Sequence, residues 1–156
     1  MSADTLTVDP NLTFSTLETT VTATGVSVLA SDDIKLVFVL TDAEGNEACR
    51  STAVTVSQGT TSLETVSATI VLPEGLEQGK YTLALYAYTD DASNLTAANC
   101  PTALGRIVGH LAKFNGVYGL DDLTVVIDYL LAGTYPILKL DDVTAVIDVL
   151  LNKTLD

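Results

Sequence analysis

Tryptophan is absent from this chain of 156 residues, histidine occurs once and cysteine twice. Each scarcity excludes something. Without Trp, the best sugar-stacking side chain is missing. The single histidine, His110, sits between Gly109 and Leu111 with no motif around it and reads as structural. Cys49 and Cys100 are 51 positions apart, with neither the Cys-x-x-Cys spacing nor the nearby His of a zinc site. They are either one disulfide, contributing about 4 kcal/mol in the chain-entropy view, or two free thiols. Basic residues number 7 against 20 acidic ones, a net charge of -13, and that field repels nucleic acid. No apolar run reaches the roughly 20 residues of a membrane-spanning helix. Met1-Ser2-Ala3-Asp4 has neither the basic start nor the apolar stretch of a signal peptide. Neither a Gly-x-Ser-x-Gly elbow nor a phosphate loop occurs. No catalytic residue is nominated, and the chain reads as a non-enzyme.

What is present is a β-rich first part. Hydrophobic residues make up 47% of the chain, enough for a core. Ile34, Leu36, Phe38 and Leu40 share one face of a run, and Asp42 to Asn46 reads as a turn. Val66, Ala68, Ile70 and Leu72 alternate with polar neighbours until Pro73-Glu-Gly75, and Tyr81, Leu83, Leu85 and Ala87 follow the same period. Ala103 to Leu111 reads as a last strand. Short strands separated by turn signals predict a β-sandwich over 1–108. Tyr86 and Tyr88 share a face and are either core packing or a small carbohydrate platform. Asp32-Asp33 and Asp90-Asp91 read as solvated turns, with a calcium loop as the alternative. Asn11-Leu-Thr13, Asn94-Leu-Thr96 and Asn152-Lys-Thr154 fit the glycosylation sequon.

Residues 109–156 form a second unit, built on a repeat. Leu120-Asp-Asp-Leu-Thr-Val-Val-Ile-Asp-Tyr-Leu-Leu131 recurs as Leu140-Asp-Asp-Val-Thr-Ala-Val-Ile-Asp-Val-Leu-Leu151, offset by 20 positions with nine of twelve residues identical. Each copy reads as a helix of about three turns, although an alternating strand is also compatible with the pattern. Asp121 and Asp141 are the expected N-caps, and Asp122 and Asp142 favour the positive helix end. Leu120 is expected to staple onto Val125, and Leu140 onto Ala145. Gly133 and Pro136 end the first helix, and Asn152 and Lys153 suit the end of the second. Asp121, Thr124 and Asp128, then Asp141, Thr144, Asp148 and Asn152, form one narrow polar stripe. The other surfaces are apolar, so each helix must be covered on more than one side. The cover is either a closed core within the chain or a partner.

Two resemblances sharpen this reading. Leu72 to Leu83, Leu-Pro-Glu-Gly-Leu-Glu-Gln-Gly-Lys-Tyr-Thr-Leu, resembles the strand–turn–strand hairpin of extracellular immunoglobulin-like domains, without their Cys-Trp-Cys core. Asp142 to Leu151 is similar to the helix of dockerin-type repeats, tandem calcium-loop–helix units that plug secreted proteins into cohesin modules. The implied fold class is mainly β: an immunoglobulin-like β-sandwich with a C-terminal dockerin-like pair of α-helices, in the manner of an X-module–dockerin pair. With Asp122 as twelfth loop residue, ligand positions 1, 3, 5 and 9 fall on Leu111, Lys113, Asn115 and Gly119; with Asp142, on Leu131, Gly133, Tyr135 and Lys139. A hard cation needs more oxygens than these side chains carry. The resemblance therefore implies a pair that has lost calcium, its loops filled by Val117, Tyr118, Tyr135, Ile137 and Leu138. No cofactor is expected.

The partner surface implied by the resemblance is Leu120, Asp121, Ile127 and Asp128, with Leu140, Asp141, Ile147 and Asp148 as the symmetric set. The partner is then a cohesin-like scaffold module, in an extracellular or cell-surface setting. Self-assembly into a structural subunit through the same helices is the second reading. A carbohydrate-binding module using Tyr86 and Tyr88 is the third.

Overall fold

A computed structural model of the chain describes residues 1–152 and Leu155. Lys153 and Thr154, expected at the end of the second helix and in the third sequon, lie outside the described residues. Eleven strands precede two helices among these residues. The strands are β1 (Thr5–Asp9), β2 (Leu12–Phe14), β3 (Glu18–Ser27), β4 (Ile34–Thr41), β5 (Glu47–Arg50), β6 (Val54–Val56), β7 (Ser62–Val71), β8 (Gly79–Tyr88), β9 (Thr96–Ala97), β10 (Ala103–Val108) and β11 (Leu111–Phe114). The helices are α1 (Leu120–Ala132) and α2 (Leu140–Asn152).

The strands form two antiparallel sheets. One has the order β1-β3-β7; the other runs β2-β11-β10-β8-β4-β5, with β6 paired to β4 and β9 to β8. The core between them follows the alternation in the sequence. Val21 and Ala23 from β3 and Val66, Ala68 and Ile70 from β7 face Leu36, Phe38 and Leu40 from β4 and Leu83 and Leu85 from β8. Each fully buried Leu or Phe contributes about 1.5–3 kcal/mol. Strand β4 is buried on both faces, because Val37 and Val39 on its outer side are also shielded.

Residues 72–83 do not make the expected hairpin. Strand β7 pairs with β3 and β8 pairs with β4 and β10, so this stretch crosses from one sheet to the other. At the corner the Tyr81 hydroxyl donates to the carbonyl of Glu77 at 2.7 Å. The flanking turn residues are the same for a hairpin and a crossover; only the long-range partner differs.

Strand β11 lies beyond residue 108, yet it belongs to the large sheet, between β10 and β2. Pairing of Val108 with Leu111 and of Leu111 with Phe14 sets these three side chains on the outer face of the sheet. A second core forms there. Phe14, Val108 and Leu111 pack with Tyr118, with Val126 of α1, and with Val143, Val146 and Val149 of α2. The helical pair thus sits on the outer face of the β2-β11-β10 end of the sheet. Arg106, on the same face, donates to the Gly116 carbonyl, and the Tyr118 hydroxyl donates to the Arg106 carbonyl at 2.7 Å. These bonds tie the loop before α1 to β10.

Candidate partner-docking surface

The two helices begin two residues earlier than N-caps at Asp121 and Asp141 would place them. Both start at a leucine, Leu120 and Leu140. The residue before α1 is Gly119, extended at φ -128° and ψ 178°. Its N–H donates to Asp122 Oδ2 at 2.9 Å, and the Lys139 N–H donates to Asp142 Oδ2 at 2.8 Å. The capping carboxylates are therefore Asp122 and Asp142 in the third helical position, reaching back to the amide that precedes the helix. Asp121 and Asp141, the expected N-caps, are exposed in the second position. The expected staples do not form, since Leu120 is 73% and Leu140 70% exposed. Gly133 ends α1 as expected, in the left-handed conformation at φ 65°.

The second oxygen of each capping carboxylate is bound by the sheet. Lys113 Nζ on β11 lies 3.0 Å from Asp122 Oδ1. His110, in the β10–β11 turn, donates its backbone N–H to Asp142 Oδ1 at 2.9 Å, and its Nδ1 is 3.1 Å from each carboxylate oxygen. Both carboxylates are buried, Asp122 at 7% and Asp142 at 1% exposure. Gly109, at φ 54°, opens the approach, because a Cβ there would collide with Asp142 Oδ1. The outer nitrogen of His110 faces Glu74 Oε1 at 3.8 Å, a second acceptor rather than a nucleophile. Sequence reasoning found no role for His110, because its partner lies 32 positions away.

All eight residues nominated for partner contact are exposed: Leu120, Asp121, Ile127, Asp128, Leu140, Asp141, Ile147 and Asp148. Leu131 and Leu151 extend the set at 83% and 76% exposure. At about 100° per residue, Leu120, Ile127 and Leu131 fall within roughly 40° of one another, with Asp121 and Asp128 about a quarter-turn away. The second helix repeats this pattern. Even the back-bonds match: Thr124 Oγ1 donates to the Leu120 carbonyl at 3.1 Å, and Thr144 Oγ1 to that of Leu140 at 3.3 Å. The result is two identical apolar ridges, each flanked by two carboxylates. On the opposite sides Val126 and Val146 are fully buried.

A groove of about 370 Å³ runs between β2 and α1. It is lined by Leu12, Phe14, Leu17, Val125, Tyr129 and Tyr135, with Glu18 and Asp122 contributing carboxylates. Phe14, Tyr129 and Tyr135 pack edge-on or tilted against one another, with ring centroids 4.7–5.6 Å apart.

The remaining candidates lie elsewhere. Tyr86 and Tyr88 are half-buried on the outer face of the large sheet, opposite Val37 and Lys35. Asp32, Asp33 and Asp90 surround a shallow polar depression with Gln58 and Thr89. There Asp33 accepts the Gln58 N–H at 2.7 Å, while Asp91 accepts from Ser93. Cys49 and Cys100 are both free thiols. Strands β4 and β8 lie between β5, which carries Cys49, and the β9–β10 stretch, which carries Cys100. Burial, with a smaller contribution from the Glu47 charge, pushes the Cys49 thiol up to about 11.

The residues at the twelfth loop positions do not fit calcium. A hard cation takes six to eight oxygens, whereas Asp122 is spent on one backbone amide and Lys113, and Asp142 on two backbone amides and the His110 ring. Among the described residues no group of three or more His, Cys, Asp and Glu side chains is placed to hold a metal. No described helix is long and apolar enough to cross a membrane. No family model matches the chain, and no curated protein matches it either.

Proposed function

We propose that this protein is a non-enzymatic docking module: an immunoglobulin-like sandwich presenting a dockerin-like helical pair to a protein partner. The observation that carries the reading is the repeat of exposure. Leucine and isoleucine at matching positions of both helices, 20 residues apart, are exposed, while Val126 and Val146, another matching pair, are buried. A sequence repeat maintained only for the core would leave its exposed positions free to become polar. The sandwich half of the reading is supported by the β1-β3-β7 sheet packed on β10-β8-β4-β5, and by the corner bond from Tyr81 to Glu77. The extracellular or cell-surface setting comes with the resemblance alone.

Charge selects the partner. Asp121, Asp128, Asp141 and Asp148 flank the ridges, and the last turns of both helices contain no basic residue. A second copy would set carboxylates against carboxylates in a chain of net charge -13. A surface with an apolar centre and a rim of lysine or arginine is the complement, and a cohesin-like module is the partner class we propose.

The test begins with the solution mass of the full chain by size-exclusion with light scattering, which is expected to be that of a monomer. The chain is then immobilised beside its Ile127→Asp/Ile147→Asp variant and exposed to surface proteins of its source. A protein retained by the first and lost by the folded second identifies the partner. Equal retention by both sinks the reading, as does a variant that unfolds. Truncation at residue 108 is unsuitable, because it removes β11 from the sheet.

A further inference from the structure

We infer that the chain supplies its own basic side chains where a calcium-loop repeat would hold metal: Lys113 on Asp122 and His110 on Asp142 pin both helices to the sheet, so that the docking ridges are presented without a divalent ion. The comparison with a calcium-loop repeat rests on the dockerin-like reading proposed above; the pinning itself rests on geometry alone.

The two pins are equivalent by repeat and different in origin. Asp122 and Asp142 occupy the same repeat position, and each gives one oxygen to the amide preceding its own helix, Gly119 at 2.9 Å and Lys139 at 2.8 Å. In the first repeat the other oxygen meets Lys113 Nζ at 3.0 Å. Counted back from Asp122 as the twelfth, Lys113 is the third loop residue, so a ligand position has been filled by the cation itself. The second loop, from Leu131 to Asp142, cannot do this. Its third residue is Gly133, and the charge of its own Lys139 is solvent-facing, since that residue is exposed. The basic partner comes instead from outside the repeat, from His110 in the β10–β11 turn. One short hairpin thus serves both helices.

Burial makes these contacts necessary. A carboxylate removed from water is costly unless its oxygens are hydrogen-bonded and its charge is compensated. Asp142 is almost wholly enclosed and receives His110 N–H, the His110 ring and Lys139 N–H. A divalent ion approaching either carboxylate would have to displace a basic group that the sheet holds in place.

The experiment uses the full chain and needs no partner. Thermal unfolding is followed in calcium chloride at about 100 times a micromolar dissociation constant and in chelator. The expected Tm is the same in both, within about 1 °C, and calorimetric titration with calcium shows no saturable heat. A calcium-dependent rise of about 5 °C or more, or stoichiometric heat, overturns the inference. Lys113→Met, Asp122→Asn and the double variant then form a thermodynamic cycle, with His110→Phe and Asp142→Asn as the second. Each double variant is expected to lose less Tm than the sum of its singles; simple additivity in both cycles overturns the pinning. Lys113→Arg, which keeps the charge, recovers most of the loss seen with Lys113→Met. A chain that ignores calcium and shows coupling yet retains no partner supports this inference and fails only the docking proposal.

Discussion

The ring of His110 lies 3.1 Å from both carboxylate oxygens of Asp142, joining the turn between two strands to the first turn of the last helix. The contact spans 32 residues of sequence and links the sandwich to the repeat. With its counterpart, Lys113 on Asp122, it makes the helical pair a fixed part of the molecule rather than a tethered appendage. The ridges on the exposed sides of those helices are therefore held in a constant relation to the sheet, and that preorganisation would reduce the ordering cost of the proposed docking.

The two aspartates of each Asp-Asp pair are expected to differ sharply. Asp122→Ala or Asp142→Ala removes a buried carboxylate from a backbone amide and a basic partner, and should cost about 3 kcal/mol. Asp121→Ala or Asp141→Ala, at exposed positions, should stay within about 0.5 kcal/mol. Urea denaturation of the four variants measures this. Equal losses within each pair would contradict the assignment of capping to the third helical position.

Position along the helix should decide the outcome of apolar-to-charged changes. Leu131→Lys and Leu151→Lys fall on side chains that are largely in solvent, and should shift stability by no more than about 0.5 kcal/mol. Val126→Asp and Val146→Asp bury an unpaired charge in the helix–sheet core and should unfold the helical pair. Circular dichroism and denaturant titration distinguish the two classes.

The corner between the sheets can be tested through Tyr81. Tyr81→Phe keeps the ring and removes the hydroxyl that donates to Glu77, leaving that carbonyl to water, and is expected to cost about 1 kcal/mol. The loss should appear as a lower denaturation midpoint with an unchanged slope.

Alkali should destabilise the fold through two buried acids. Burial pushes Cys49 from an ordinary 9.0 up to about 11, and burial together with the neighbouring Asp122 raises the Tyr118 phenol. Between about pH 9 and pH 11 the unfolded chain loses protons that the folded chain retains. The folded state then binds more protons, and stability falls as pH rises. Below about pH 9 this contribution is fully present. Unfolding free energy measured across this range should decline, and Cys49→Ala with Tyr118→Phe should flatten the decline. An unchanged slope in the double variant would remove these groups as the cause.

The parts of the fold that were legible in the sequence are those whose signal is local. Alternation in Leu36, Phe38 and Leu40 and in Val66, Ala68 and Ile70 marks strands, because a buried sheet face repeats every two residues. The helical repeat, its Gly133 terminus and its exposed Asp–Thr–Asp stripe follow from the helical period in the same way. Strand β11 escaped notice because Leu111-Ala-Lys-Phe114 is short and one of its two neighbours in the sheet, β2 with Phe14, comes from a distant part of the chain. The turn at 72–83 was legible as a turn, but its residues do not record whether β7 and β8 pair with each other.

The sequence by itself determined that this protein has a β-rich part followed by a duplicated helix, that its field is acidic, and which helical positions are apolar. Period, composition and repeat are properties of neighbouring residues, so they need no fold to be read. Only the tertiary structure decided which apolar positions are core and which are surface. It also decided which of each paired aspartate is buried and that Lys113 and His110 are its partners. Burial and ion pairing depend on where distant segments meet, and in this chain they meet on the outer face of one end of the large sheet.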